Sequence, residues 1–309
     1  MFNPVKKLST IILDPNARFF TLASRGFYNK MSDEKFIRKK YRLRLGADVD
    51  IQHPKTFNEK LQWLKLYDRK PIYSTIVDKY AVKDYVSSII GKDYIVPTFG
   101  VWDRFEDIDF ESLPNQFVLK CTHDSGGLVI VKDKSKMDIR EAGKIINKSL
   151  KRNYYHIGRE WPYKNVKPRI IAEKYMEDSS TGELRDYKFF CFNGEAKCFK
   201  VDFDRFTEHR ANYYSIDKKL MKLGEKVCPP DFDRDIRLPA SIDQMKILAE
   251  KLAASIPFVR VDFYDVDGKI YFGELTFFPD SGFGKFIFEG NTELLGSWIK
   301  LPDRDIEKT

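Results

Sequence analysis

Apolar residues recur at helical spacing through the first part of the chain and at strand spacing further on. In "DEKFIRKKYRLRLG" apolar and basic residues alternate with a helical period that stops at Gly46, so residues 1 to about 50 read as helical. Thr56 with Glu59 makes a capping box, after which Phe57, Leu61 and Leu64 fall on one helical face. Pro71 opens a further helical segment that holds Asp78, Lys79 and Tyr80 and runs towards Gly91. The stretch "YIVPTFGVW" reads as a short strand and loop. Next, "QFVLKCTHDSGGLVIVKD" places two apolar runs around His123 to Gly127, a hairpin with a glycine-containing loop. Asp138 and Glu141 cap a helix through Leu150, and "PRIIAEKYM" is a buried strand. "DYKFFCFNGEAKCFKVDF" is a hairpin turning on Asn193-Gly194. A helix around residues 241 to 254 then leads to "FVRVDFYDVDGKIYFGELTFF", a hairpin turning at Asp267-Gly268.

Composition narrows the class of protein. A chain of 309 residues builds one enzyme-sized unit or two to three intimate subdomains. The net charge of +8 is scattered rather than blocked, which favours a mixed solvated surface and no nucleic-acid partner. Cys121, Cys191, Cys198 and Cys228 show no CxxC or pairing pattern, as expected of buried thiols in a reducing, cytoplasmic setting. No apolar run is long enough to span a bilayer. The start, "MFNPVKKLSTIILDPNARFF", lacks the uninterrupted apolar stretch and small-residue cleavage site of a signal peptide. The basic N-terminal helix suits either packing on its own domain or peripheral contact with the inner membrane surface.

The last hairpin raises a chemical question. Strand alternation gives Arg260, Asp262 and Tyr264 one face, and Phe272, Glu274 and Thr276 one face. A strict two-residue Asp-Gly turn pairs Asp262 with Gly273 and sends Glu274 to the opposite face. A three-residue loop, Val266 to Gly268, pairs Asp262 with Phe272 and leaves Glu274 diagonal on the same face. In the second register two carboxylates meet among apolar neighbours, an arrangement that a hard divalent cation relieves, or each acid is satisfied by its own lysine or arginine. Elsewhere Lys120 ends a buried strand just before Ser125-Gly126-Gly127, and a lysine followed by free backbone N–H groups suits a triphosphate without matching a P-loop. Glu173, Lys174, Tyr175 and Met176 follow an apolar strand in an order that suits a hinge against a nucleobase.

In order, "VDKY", "VLKCTHDSGG", "IIAEKYM", "RDYKFF", and "VRVDFY" with "GELTFFP" resemble the ATP-grasp superfamily over about residues 75 to 285. With "TFNEKLQWLKLYDRKPIY" and "LGSWIKLP", the whole chain resembles its teichuronopeptide-biosynthesis (TupA-like) branch, which is associated with bacterial surface polysaccharides. The resemblance implies an α+β ATP-grasp fold in which nucleotide lies between two subdomains with antiparallel sheets. The expected divisions are a helical N-terminal segment (1–70), an N-terminal α/β subdomain (71–115), a lid subdomain (116–175) and a large subdomain with the metal site (176–309).

It also implies roles. Lys79 and Lys120 would hold ATP phosphates under the loop Ser125, Gly126 and Gly127; Glu173 to Met176 would contact adenine; Asp186 would bind ribose. Arg260 would act with Lys120 at the transferred phosphate, Asp262 and Glu274 would hold Mg2+ or Mn2+, and Asp280, Ser281 and Gly282 would meet the reacting acid. The superfamily commonly has asparagine where Thr276 stands, which puts Thr276 in doubt as a ligand; Lys188 and His123 receive no role. The activity implied is a ligase that joins a carboxylate, on a small molecule or glycan, to an amine through an acyl phosphate. The competing readings are a sugar phosphotransferase and a nucleotide-binding glycan-assembly protein.

Overall fold

The computed structural model describes residues 14–179, 184–205 and 207–303. Three helices lead: α1 Pro15–Ser24, α2 Asp33–Leu45 and α3 Phe57–Tyr67. Gly46 ends α2 in the left-handed region at φ +82, where a side chain would be strained. Phe36, Ile37 and Tyr41 of α2 are buried in the protein. The first 13 residues, which belong to the start weighed as a signal peptide, lie outside the described residues. Thr56 and Glu59 form the expected capping box: the Thr56 N–H donates to the Glu59 carboxylate at 2.9 Å and the Glu59 N–H to Thr56 Oγ1 at 3.3 Å.

The single helix expected after Pro71 is two, α4 Ile72–Val77 and α5 Ala81–Ile90. Asp78 breaks it, because its Oδ1 accepts the N–H groups of Tyr80 and Ala81 (2.9 and 3.1 Å) and so caps α5. The freed Lys79 N–H donates instead to the Thr122 carbonyl at 3.0 Å, which ties Lys79 to the neighbouring sheet.

Among the described residues nine strands form two antiparallel sheets. The smaller has the order β1-β4-β2-β3, from β1 Thr98–Trp102, β2 Phe117–Cys121, β3 Leu128–Val131 and β4 Ile170–Lys174. Helix α6 Ile139–Leu150 covers one of its faces, burying Ala142 and Ile146 with Phe117, Leu119 and Ala172. The boundary expected at residue 116 cuts through this sheet, because β1 pairs with β4. That pairing spans about 70 residues of chain and leaves no local periodic signal.

The larger sheet has the order β7-β6-β5-β8-β9, from β5 Asp186–Phe192, β6 Glu195–Phe203, β7 Arg210–Ser215, β8 Phe258–Val266 and β9 Lys269–Thr276. Between α6 and β4 lies the single turn α7 Tyr155–Gly158; α8 Ile242–Ala253 packs on the apolar face of this sheet, and α9 Asn291–Trp298 packs on α3. No helix among the described residues is long and apolar enough to cross a membrane.

Two turns and one bulge decide which residues share a face. Asn193-Gly194 (φ +52 and +87) and Asp267-Gly268 (φ +53 and +82) are two-residue hairpin turns with both central residues left-handed. A two-residue turn at Asp267-Gly268 should send Glu274 away from Asp262, yet the two stand directly opposite. Gly273 is the reason: it is an extra residue in β9 between Phe272, paired with Phe263, and Glu274, paired with Asp262. Neither register drawn from the turn alone holds, and Phe272 faces the core with Phe263 rather than sharing the face of Glu274. A Cβ on Gly273 would stand 3.0 Å from the Asp262 carbonyl and 3.3 Å from the Tyr264 ring.

Candidate active site

A cavity of about 320 Å³ opens between the two sheets. Register explains the wall from the smaller sheet. Glu173 is paired with Val118, so it shares a face with Lys120, two residues on, and Lys120 Nζ reaches its carboxylate at 2.7 Å. Lys83 of α5 closes a second, short ion pair on the same carboxylate. Burial tends to raise the Glu173 pKa, but Lys120 and Lys83 outweigh it and hold the group below the ordinary value. Lys79 Nζ donates to the Asp124 carbonyl. Burial lowers the Lys79 pKa, against the attraction of Glu274 and Asp124.

The glycine loop is built differently from the sequence expectation of free N–H groups. Gly126 and Gly127 both donate to Asp124 Oδ1 at 3.1 Å, and the other Asp124 oxygen accepts from Ser149 Oγ. Buried N–H groups require an acceptor, and Asp124 supplies it within the loop. His123, 2% exposed, lies against the Ser149 and Arg152 carbonyls (3.2 and 3.1 Å), which fastens the loop to the end of α6. Ser125 stays exposed, with its hydroxyl on Tyr154 at 3.3 Å.

The larger sheet contributes a charged face. Cross-strand pairing lines up Lys200, Lys188, Asp262 and Glu274 from β6 to β9, with Asp202, Asp186 and Tyr264 in the next row. Lys188, 8% exposed at its side chain, reaches Asp186 (3.1 Å), Asp202 (3.0 Å) and Asp262 (3.5 Å). Burial would lower its pKa, but the three carboxylates raise it. Arg205 makes a short ion pair with Asp186, and Lys200 pairs with Glu225 at 2.6 Å.

Arg260 bridges the two hairpin acids. Its guanidinium holds both Asp262 oxygens at 2.7 Å, and the same Nη2 lies 2.9 Å from Glu274 and 3.1 Å from Thr276 Oγ1. Burial raises the Asp262 pKa despite Arg260 and Lys188. Glu274 lines the open cleft with its side chain 47% exposed, though protein surrounds it on several sides. Burial pushes its pKa up, but Arg260, Lys79 and Lys188 prevail and hold it at about 2. Arg260 thus supplies a counter-charge to both acids, and their hard oxygens, with the Thr276 hydroxyl beside Glu274, are donors of the kind that would hold a divalent cation.

A second cavity, of about 440 Å³, adjoins the first and shares Ser125, Arg260 and Glu274 with it. On its far side lies an unusual turn: Asp280, Ser281 and Gly282 are successively left-handed, at φ +47, +53 and +66. Non-glycine residues there cost about 1–3 kcal/mol each. The turn is held from behind by α3, where Lys65 Nζ donates to the Ser281 carbonyl at 2.5 Å and Gln62 and Asn58 donate to that of Gly282 (2.6 and 3.0 Å). Ser281 Oγ donates to the buried Glu160 at 2.6 Å.

Of the residues marked by the sequence, Lys79, Lys120, Ser125, Gly127, Glu173, Asp186, Arg260 and Glu274 line the cleft between the sheets. Gly126 lies in the loop, and Asp262 lies buried under Arg260. Asp280 and Ser281 line the second cavity, while Gly282 is packed against Gln62 and Leu61. Lys174, Tyr175 and Met176 lie outside the lining: Lys174 falls on the opposite strand face with its N–H on the Pro97 carbonyl, Tyr175 lies under Lys132, and Met176 is buried. Sequence reasoning passed over Lys83, Asp202 and Arg205, and gave Lys188 no role. A signal was present, since charged residues two apart (Asp186 and Lys188, Lys200 and Asp202, Arg260 and Asp262) recur on one face of three strands among largely apolar neighbours.

The model of the TupA-like ATPgrasp family matches residues 59–300. No curated protein sequence matches the chain. Among solved structures, D-alanine–D-alanine ligase from Bacillus anthracis complexed with ATP is 17% identical with a TM-score of 0.38, covering 66% of this chain and 55% of that one. D-alanyl-alanine synthetase A from Vibrio cholerae is 11% identical with a TM-score of 0.41, covering 67% and 57%. D-cycloserine synthetase is 17% identical with a TM-score of 0.39, covering 74% and 70%. The chain thus spans little more than half the length of the first two.

Proposed function

This chain belongs to the TupA-like ATP-grasp family, and from that premise we propose that it is an ATP- and magnesium-dependent carboxylate–amine ligase. The observation that carries the reading is the meeting of Lys79, Lys120 and Arg260 with Asp262 and Glu274 at one cleft that opens into a second cavity. Reactions of this class condense a carboxylate with an amine while ATP is cleaved to ADP and inorganic phosphate, and they demand positioning and charge neutralisation.

The residues divide that work. Lys79 and Lys120 hold phosphate oxygens as point charges, and the Ser125–Gly127 loop lies over them. Ile95 and Val96 offer apolar cleft surface for the base, beside Glu173, and Asp186 accepts from the ribose hydroxyls. A magnesium or manganese ion held by Asp262 and Glu274 would neutralise charge on the transferring phosphoryl group. Arg260 orients that group from where the two cavities meet, and the carboxylate acceptor enters the second cavity towards Asp280, Ser281 and Gly282.

The acceptor proposed is a uronic acid of a capsular or other bacterial surface polysaccharide, joined to an amino acid or amine at the cytoplasmic membrane face. The test is the product mass when ATP, a uronic-acid glycan and amino acids are supplied together. A gain of one amino acid less one water supports the ligase. A gain of one phosphoryl group at a sugar hydroxyl, or calorimetric preference for a nucleotide sugar over ATP, overturns it.

A further inference from the structure

Beyond the second cavity lies a third, of about 390 Å³, and its walls are chemically one-sided. Arg25, Lys40, Lys151, Arg152 and His156 line it, and no aspartate or glutamate does so among the described residues. The Asn29 amide also lines it, while that of Asn153 is engaged with the Lys164 carbonyl and the Tyr155 N–H. The third cavity shares Phe20 and Lys40 with the second, so the two lie side by side at these residues.

The side chains are poised for an anion. Lys40 Nζ donates to the Ile157 carbonyl at 2.7 Å and stands 4.7 Å above the Phe283 ring, which fixes it at the join between the cavities. Burial, with Arg44 against Glu160, lowers its pKa to about 8. His156 is likewise lowered, by burial first and by Arg159 and Lys164 against Asp33. Among the described residues no carboxylate lines the cavity against these cations, Glu160 and Asp33 acting on Lys40 and His156 from outside the lining, and an anion that enters reduces the repulsion while gaining charge-assisted hydrogen bonds. Arg25 and Lys40 come from outside the segment matched by the family model, and Lys151 and Arg152 from inside it.

We propose that this basic cavity binds a phosphate or diphosphate group carried by the acceptor, on Arg25, Lys40 and Lys151. The acceptor then lies with its carboxylate beside Arg260 and its phosphate about one cavity away; this placement rests on the proposed ligase reading. An acceptor with a bare carboxylate would leave the third cavity without its counter-charge.

The experiment is a calorimetric titration of inorganic pyrophosphate into the whole chain saturated with Mg-ADP, which closes the nucleotide site to the probe. Binding is expected, and Arg25→Glu and Lys151→Glu should each weaken it about tenfold while ADP affinity stays within about twofold. Unchanged melting temperatures confirm that both variants are folded. Absence of pyrophosphate binding to the ADP-loaded protein, or binding indifferent to both substitutions, overturns the proposal. Failure of the wild type to bind ADP would sink the nucleotide reading instead, and the same variants titrated with pyrophosphate alone would still decide this one. Two arms distinguish the source of the phosphate. Competition by a soluble nucleoside diphosphate sugar places it on a soluble acceptor, and flotation with phosphatidylcholine vesicles containing phosphatidic acid, lost in the variants, places it on a lipid.

Discussion

Lys188→Met is the substitution that most directly tests the charged face of the larger sheet. The change keeps the length of the stem and removes one buried positive charge. That charge lies 3.0–3.5 Å from three carboxylates, Asp186, Asp202 and Asp262, all nearly inaccessible. Removing one partner of a buried pair costs about 3–5 kcal/mol, because the other charge is stranded. Here each acid keeps a second cation: Arg205 for Asp186, Lys200 at 3.7 Å for Asp202, and Arg260 at 2.7 Å for Asp262. The expected loss is therefore at the lower end, about 3 kcal/mol at pH 8. The pH dependence follows from signs. The Lys188 pKa is raised in the fold, so its contribution is complete below the unfolded lysine value and constant between pH 5 and 8. Without it the folded Asp262 carboxyl, already raised by burial, shifts further upward. A carboxylate raised in the folded state binds protons preferentially there, so the variant gains stability as pH falls. The deficit should shrink by about 1.4 kcal/mol for each pKa unit of added shift. Urea unfolding at pH 8, 6.5 and 5 reads both quantities. A loss below about 1 kcal/mol, or a gap that does not close towards pH 5, would refute the account.

Three further outcomes are expected. Glu274→Gln should lower ATP turnover about a hundredfold or more; its stability cost at pH 7, discounted for a side chain 47% exposed, is about 1 kcal/mol. Because the Glu274 pKa is depressed to about 2, that cost should fade as pH falls below about 4, which acid titration of both proteins would show. Gly127→Ala should destabilise by about 1–3 kcal/mol, since its Cβ would stand 2.5 Å from Cys121 Sγ and 2.6 Å from Ser149 Oγ; an unchanged thermal midpoint would refute the packing described. Lys65→Met should release the left-handed turn, raising KM for the carboxylate acceptor several-fold with KM for ATP unaltered, and equal changes in both would place the effect on the fold at large.

Local chemistry was legible in the sequence wherever a residue satisfies its own neighbours. Thr56 with Glu59 and the Asn193-Gly194 turn need only a few residues of chain to express themselves. The Asp267-Gly268 turn is equally local, but the consequence drawn from it was not. Whether Asp262 and Glu274 share a face depends on Gly273, and glycine in a strand signals a bulge only once the pairing is known. The helix break at Asp78 was hidden because an apolar period continues across it, while the cap and the Lys79 bond to Thr122 are tertiary. The loop N–H groups of Gly126 and Gly127 looked free because nothing in "DSGG" says that Asp124 turns back to take both. The order of motifs pointed to residues that the fold does gather at one cleft. The sharing of Lys188 among acids from three strands becomes visible only after β5, β6 and β8 are laid side by side.

The bulge at Gly273 also bears on how the length of this hairpin can vary. Losing one residue from a strand ordinarily exchanges its two faces beyond the gap, sending core side chains into water. Gly273 is the exception in β9, because it is unpaired: with it deleted, Phe272 would still meet Phe263 and Glu274 would still meet Asp262. Deleting Leu275 instead would bring Thr276 opposite Val261 in the core and turn Phe277 towards the cleft. Single-residue insertions and deletions in this strand should therefore survive at one position and be lethal to the fold a residue or two away, a contrast that melting the two deletion variants side by side would expose.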